Sequence, residues 1–196
     1  MDSEEMYGAI TSKGLCNKAL INAIEGYGDL KDNGTLDKEI LIVIDYTKSS
    51  NRERFFILDM ADTTLTHSLL VAHGRNSGNE FATSFSNISG SYMSSLGFFK
   101  TAETYDGKHG LSLRMDGLEK GINHKARERA IVIHQADYVS LDFANEHGRI
   151  GRSLGCPALP IEDYTEVIHT IKEGCLLYIY GGDDTYALQS SFLNEG

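Results

Sequence analysis

Runs of β-forming residues constrain this chain more than any other feature. The stretch "KEILIVIDYTKSSNRERFFILDM" holds two of them, at about 39–46 and 53–60, separated by a polar loop, and so predicts a hairpin. "TLTHSLLVAHG" reads as a third strand ending at His73-Gly74, and "LGFFKTAETY" with "LSLRMDG" as another strand pair. "RAIVIH" is a near-continuous apolar strand that stops at His134, and "CLLYIYG" a closing core strand. Helical spacing is confined to two places. Leu15, Ala19, Leu20, Ala23 and Ile24 mark a helix expected to end at Gly26 and Gly28. Tyr164, Val167, Ile168 and Ile171 mark an amphipathic helix. Residues 74–95, rich in Gly, Ser and Asn, predict a long surface loop, and "DDTYALQSSFLNEG" a polar tail. The expectation is a mainly β domain with a few helices.

Composition narrows the function classes. A net charge of −10 argues against a nucleic-acid partner, because phosphate binding needs clustered Lys and Arg and "RERAIVIH" is too small a cluster to supply it. No apolar stretch approaches the roughly 18 residues of a membrane span. The start "MDSEEMYGAI" is acidic and lacks the basic and apolar regions of an export signal. No H-E-x-x-H or C-x-x-C spacing is present, so no local metal site is expected, and G-x-S-x-G and Walker loops are absent.

The chemistry concentrates in "GRSLGCPALP", residues 151–160, which holds both of the chain's prolines and one of its three cysteines. Cys175 opens an apolar run and Cys16 lies in a helical pattern; both read as small hydrophobes. Cys156 differs, being set among Gly, Pro and Arg. A cysteine nucleophile needs a base, oxyanion donors and a fixed, accessible position. Gly155 permits a sharp bend, and Pro157 biases Cys156 away from helical geometry. The N–H groups of Gly155 and Cys156 are candidate oxyanion donors. Arg152 is a candidate to bind a substrate carboxylate or to lower the thiol pKa. The base must be a histidine at near-neutral pH. His134 and His73 both end apolar strands, where a site at the sheet rim would lie, while any one histidine taken alone reads as a structural residue.

The ordered pair "IVIHQADYVS" and "GRSLGCPALP" resembles the YkuD-type L,D-transpeptidases, in particular the murein L,D-transpeptidase catalytic domain branch. "LIVIDYTKSS", "VAHGRNSG", "FSNISGSYMSSLGFF" and "TYDGKHGLSLRMDGLEKGIN" resemble it too, so the likeness covers about residues 38–181. The resemblance implies a β-sandwich-like catalytic domain at 38–196, preceded by an N-terminal helical extension at 1–37. It implies that His134 is the general base, Cys156 the nucleophile, Gly155 the preceding glycine and Ser153 the leading Ser of the family's Ser/Thr-His-Gly-Cys pattern. Leu154 stands where many relatives carry a second His, and Gln135 where Gly usually follows the base; Gln135 retains a carbonyl that can orient His134. With Arg152 and with His73 at the site rim, these two are the expected substrate contacts. The reaction implied is acyl transfer on peptidoglycan stem peptides, through a thioester, in the cell envelope, with an export signal expected upstream. It uses neither metal nor organic cofactor. The departures at Leu154 and Gln135 also support a second reading, a weak or inactive relative that binds cell-wall peptide.

Overall fold

The computed structural model describes Gly8 and residues 10–193, so residues 1–7 and 9 of the acidic start lie outside the described residues. The apolar runs become β1 (Ile40–Asp45), β2 (Phe55–Asp59), β3 (Thr64–Leu69), β4 (Gly97–Gly107), β5 (Gly110–Gly117), β6 (Val132–Gln135), β7 (Ala158–Leu159) and β8 (Leu176–Tyr180). Before, between and after them lie α1 (Asn17–Asp32), α2 (Leu141–His147), α3 (Tyr164–Ile171) and α4 (Asp184–Gln189). The mainly β class expected from the sequence is the class found, and β1 and β2 form the expected hairpin, with Ile40 opposite Asp59.

All eight strands join one sheet in the order β3-β2-β1-β8-β4-β5-β6-β7. β1 pairs with β8 and β6 with β7 in parallel; every other pairing is antiparallel. The two edges then approach each other, because an antiparallel bridge joins Ala72, just past β3, to Ala158 in β7. The expected sandwich-like domain is therefore a single sheet that nearly closes into a barrel. β8 is buried along its whole length, as a near-continuous apolar strand in the middle of a sheet should be.

α1 lies against β1 and β8 and continues through both glycines expected to end it. At Gly26 the reason is packing: a Cβ there would run into the Phe98 ring, which is wedged between Tyr178 and Phe192. The expected polar tail instead contains α4, whose Tyr186 is buried and donates to the buried carboxylate of Glu119 at 3.0 Å. The expected surface loop at 74–95 folds inward in part, with Ser77, Ser94 and Ser95 buried. Serine hydroxyls take the place of a strand ladder there: Ser94 N–H donates to Ser77 Oγ at 2.9 Å, and Gly74 N–H to Ser94 Oγ at 3.0 Å.

A small cluster of Ala72, Ala136, Val139, Ala144, Ile150 and Ala158 seats α2 beside β6 and β7. Ser140 caps α2, accepting from Phe143 N–H at 3.1 Å, and Gly148 closes it in the left-handed conformation. Among the described residues no helix is long and apolar enough to cross a membrane.

Candidate active site

β6 and the segment leading into β7 bring the expected base and nucleophile together. His134 pairs with Ala158 in parallel register, and its N–H donates to Pro157 O at 3.3 Å. Cys156 lies two residues before Ala158, in the bend that leads into β7. His134 and Cys156 both line a cavity of about 510 Å³ whose other walls include Tyr105, His109, Arg129 and Tyr138. The half-buried Cys156 Sγ accepts from Val132 N–H at 3.5 Å and its thiol donates to Ala130 O at 3.7 Å; all three cysteines are free.

The turn before Cys156 is pinned from several sides. Ser153 N–H donates to His73 O at 2.9 Å, and Ser153 O accepts from Arg75 N–H at 2.8 Å. The buried Ser153 hydroxyl accepts from Gly155 N–H at 3.1 Å and donates to Cys156 O at 2.6 Å, so one side chain closes the turn. Gly155 has φ +125°, a region glycine alone enters freely, and a Cβ there would approach Met93 O to 2.9 Å. Ser94 Oγ adds a bond to Gly155 O at 3.1 Å. This corrects the expected pair of oxyanion donors. Gly155 N–H is already spent on Ser153, whereas Cys156 N–H, like Leu154 N–H, has no acceptor among the described residues. Gly155 serves the site through its conformation.

His134 is buried, and its Nδ1 lies 2.9 Å from Gln135 O. Nδ1 must carry the proton to donate there, which leaves Nε2 as the basic nitrogen. His109, on the turn between β4 and β5, stacks on His134 with ring centroids 4.4 Å apart. Burial pushes the His134 pKa down and His109 lowers it further, against the Gln135 carbonyl, which favours the cation. Burial pushes the Cys156 thiol up, opposed by Val132 N–H and by the Arg129 charge. Burial thus favours the neutral form of both groups.

Four expected substrate contacts sort unevenly. Leu154 lines the cavity and is exposed, an apolar rim residue. Arg152 lines it too, but its Nη1 donates to Arg75 O, Gly78 O and Asn79 Oδ1 at 2.8–3.0 Å, holding the 75–79 segment. The cation whose field acts on the thiol is Arg129. Gln135 contributes its carbonyl and does not line the cavity. His73 is a correction: it is fully buried, with Nδ1 2.7 Å from Arg54 Nη2 and Nε2 3.3 Å from Gly78 O. Arginine only donates, so His73 Nδ1 accepts and Nε2–H donates. It sits behind the cysteine turn as a support, and burial with the Arg54 charge holds it at about 4.

Sequence reasoning passed over His109 and Arg129. His109 had a visible signal, a two-residue turn bracketed by glycines in "DGKHG" between two strands. Arg129 had little, since the "RER" before β6 looks like a solvated charge cluster. In the fold Arg129 donates to Ser86 O, Ser95 Oγ, Ser91 Oγ and Met93 O at 2.6–3.3 Å, tying the 86–95 segment beside the thiol. Among the described residues no group of three or more His, Cys, Asp or Glu is placed to hold a metal ion.

Comparison with known proteins adds three findings. The model of the L,D-transpeptidase catalytic domain family matches residues 11–180. Solved structures similar to this chain include an L,D-transpeptidase from Mycobacterium smegmatis, 11% identical, covering 72% of this chain and 58% of that one, TM-score 0.45. Others are an L,D-transpeptidase from Mycobacterium tuberculosis H37Rv (12% identical, 72% and 57%, TM-score 0.45) and one from Stackebrandtia nassauensis (12%, 86% and 69%, TM-score 0.44). This chain thus spans less than two thirds of the first two. No curated protein matches it.

Proposed function

This chain belongs to the L,D-transpeptidase catalytic domain family, and on that premise we propose that it is a cysteine acyltransferase acting on peptidoglycan stem tetrapeptides. The observation that carries the reading is that His134, on β6, and Cys156, in the bend leading into the neighbouring β7, line one cavity, with His134 Nδ1 bound to Gln135 O.

In this reading His134 Nε2 takes the Cys156 thiol proton as Sγ attacks the carbonyl joining the diamino acid's L-centre to D-Ala. The S–C bond forms, the carbonyl π electrons move to oxygen, and Cys156 N–H stabilises that oxyanion, a contribution of about 3 kcal/mol per donor. Collapse breaks the C–N bond, and His134 returns the proton to the departing D-Ala amine. The thioester is then resolved by an amine of a second stem, giving a 3,3 cross-link, or by water, giving carboxypeptidase action. Residues 38–196 are the catalytic unit in this proposal and 1–37 an extension whose α1 covers β1 and β8. Its substrate lies in the cell envelope, so its site of action is extracytoplasmic, and no cofactor is required.

The test is incubation with purified tetrapeptide muropeptides, read by mass spectrometry, beside Cys156→Ala. A cross-linked dimer with loss of D-Ala is the transpeptidase outcome, and tripeptide alone the carboxypeptidase outcome. Cys156→Ala is expected to abolish both and to leave the melting temperature nearly unchanged, because the thiol is half-buried in a cavity wall. Full activity in that variant would remove Cys156 as nucleophile.

A second reading, a cell-wall peptide-binding relative of weak or no activity, is favoured by one observation. The Cys156 thiol is pushed up rather than down and is hydrogen-bonded to backbone rather than to His134. Alkylation followed against pH separates the two. A midpoint above the ordinary thiol value, with stem-peptide binding and no acyl-enzyme, supports the second reading; acyl-enzyme detected by mass rules it out.

A further inference from the structure

Charge is sorted at the cavity against the trend of the whole chain. The protein carries 28 Asp and Glu against 18 Lys and Arg, yet among the described residues no Asp or Glu lines the 510 Å³ cavity, while Lys108, Arg129 and Arg152 do. A larger cleft of about 940 Å³ elsewhere on the surface mixes Lys13, Lys48 and Arg52 with Glu53, Asp142 and Glu162. Freedom from carboxylates is therefore not common to the molecule's concavities.

The three cations are not equivalent. Arg129 and Arg152 spend much of their donor capacity on the segments they hold. Lys108 is exposed and makes no hydrogen bond or ion pair among the described residues. It occupies the tight β4–β5 turn, where Gly107 pairs with Gly110, and its turn neighbour His109 stacks on His134. The stack fixes the turn beside the base, and the flexible stem of Lys108 leaves its ammonium free to meet a substrate group at the mouth.

We propose that this cavity selects its acyl donor by free carboxylate groups, and that Lys108 is the residue that reads one of them. The inference rests on the reading of the site as one for stem-peptide acyl transfer, and deepens it from stem peptides in general to un-amidated ones. Low-dielectric walls lined by one sign of charge focus the field and favour an anion. A carboxamide has nearly the carboxylate's shape but loses the charge and one of its two acceptor oxygens, so it offers an ammonium only a neutral, weaker hydrogen bond. The site therefore discriminates by charge where shape offers little.

The test separates binding from turnover by using Cys156→Ala, which cannot form a thioester. Calorimetry would compare three synthetic stem tetrapeptides ending in D-Ala: one with all carboxylates free, one with the diamino acid's D-centre carboxylate as carboxamide, and one with the terminal carboxylate as carboxamide. At least one amidated peptide is expected to bind about tenfold more weakly, the scale of one charge-assisted hydrogen bond. Adding Lys108→Gln should erase that difference by weakening only the free acid, and Lys108→Arg should keep it. Equal affinities, a difference that survives Lys108→Gln, or no binding by any peptide each overturns the proposal. Wild-type turnover measured in parallel keeps the two readings apart. Discrimination without turnover removes the acyltransferase and leaves carboxylate selection standing; turnover without discrimination does the reverse.

Discussion

Ser153 shows how much one side chain carries here. Its hydroxyl holds Gly155 N–H and Cys156 O at once, across the two residues whose geometry presents the thiol. Ser153→Ala leaves a buried N–H and a carbonyl without partners, so a loss of about 1–3 kcal/mol is expected in chemical unfolding. Turnover should fall further than stability, because Cys156 N–H, the proposed oxyanion donor, is aimed by the same turn. A variant of unchanged activity would mean that Gly155 and Pro157 hold the turn unaided. At this scale the sequence was informative about types and poor about partners. "SLGCP" announced a bent, fixed cysteine, but nothing in it told that Gly155 N–H would be consumed by Ser153. The same limit explains Arg129, whose acceptors at residues 86–95 come from another part of the chain.

At the scale of elements, local pattern and tertiary demand part company at glycine. Gly26 looks like a helix stop in sequence, yet α1 runs past it to Asp32 because the glycine clears room for Phe98. Gly26→Ala should gain about 1 kcal/mol of helix propensity and lose about 1–3 to overpacking. A net lower melting temperature is expected; a rise would show that the Phe98 ring moves aside at little cost. β7 presents the opposite case. Two residues long and flanked by the prolines, it carries no strand signal of its own, and exists because His134 and Gln135 on one side and Ala72 on the other supply its hydrogen-bond partners. Long apolar runs such as β1 and β8 need no such help, since burial alone favours them.

Across the whole molecule, the near-closure of the sheet joins the support of the site to the stability of the fold. Where Ala72 bridges to Ala158, Arg54 is buried without a carboxylate partner among the described residues, donating to Val71 O and Lys48 O and meeting His73 Nδ1. Burial first, and the Arg54 charge second, keep His73 neutral, its pKa at about 4 against 6.5 unfolded. Between those values the unfolded chain binds the extra proton, so stability falls as pH drops from about 6.5 to about 4 and changes no further from this group below that. The shift corresponds to about 3 kcal/mol. Unfolding free energies measured across that window should show the slope, and His73→Gln should flatten it even if the variant is less stable throughout. A slope that survives His73→Gln would show that His73 is not its source.

What the sequence determined by itself is what depends on neighbours in the chain. Runs of β-formers specified strands, Gly155 and Pro157 on either side of Cys156 specified a bend there, and the order of motifs specified the family. What tertiary structure decided is which of several chemically equal groups does what. His73 and His109 are chemically equal imidazoles, yet one is buried against Arg54 and the other stacks on His134. Burial, field and hydrogen-bond partners come from residues tens of positions away, and those set the pKa, the free donors and the charge of the cavity. Local pattern encodes the first kind of fact because propensity and periodicity act over a few residues; it is silent on the second because contacts between distant residues exist only once the sheet has formed.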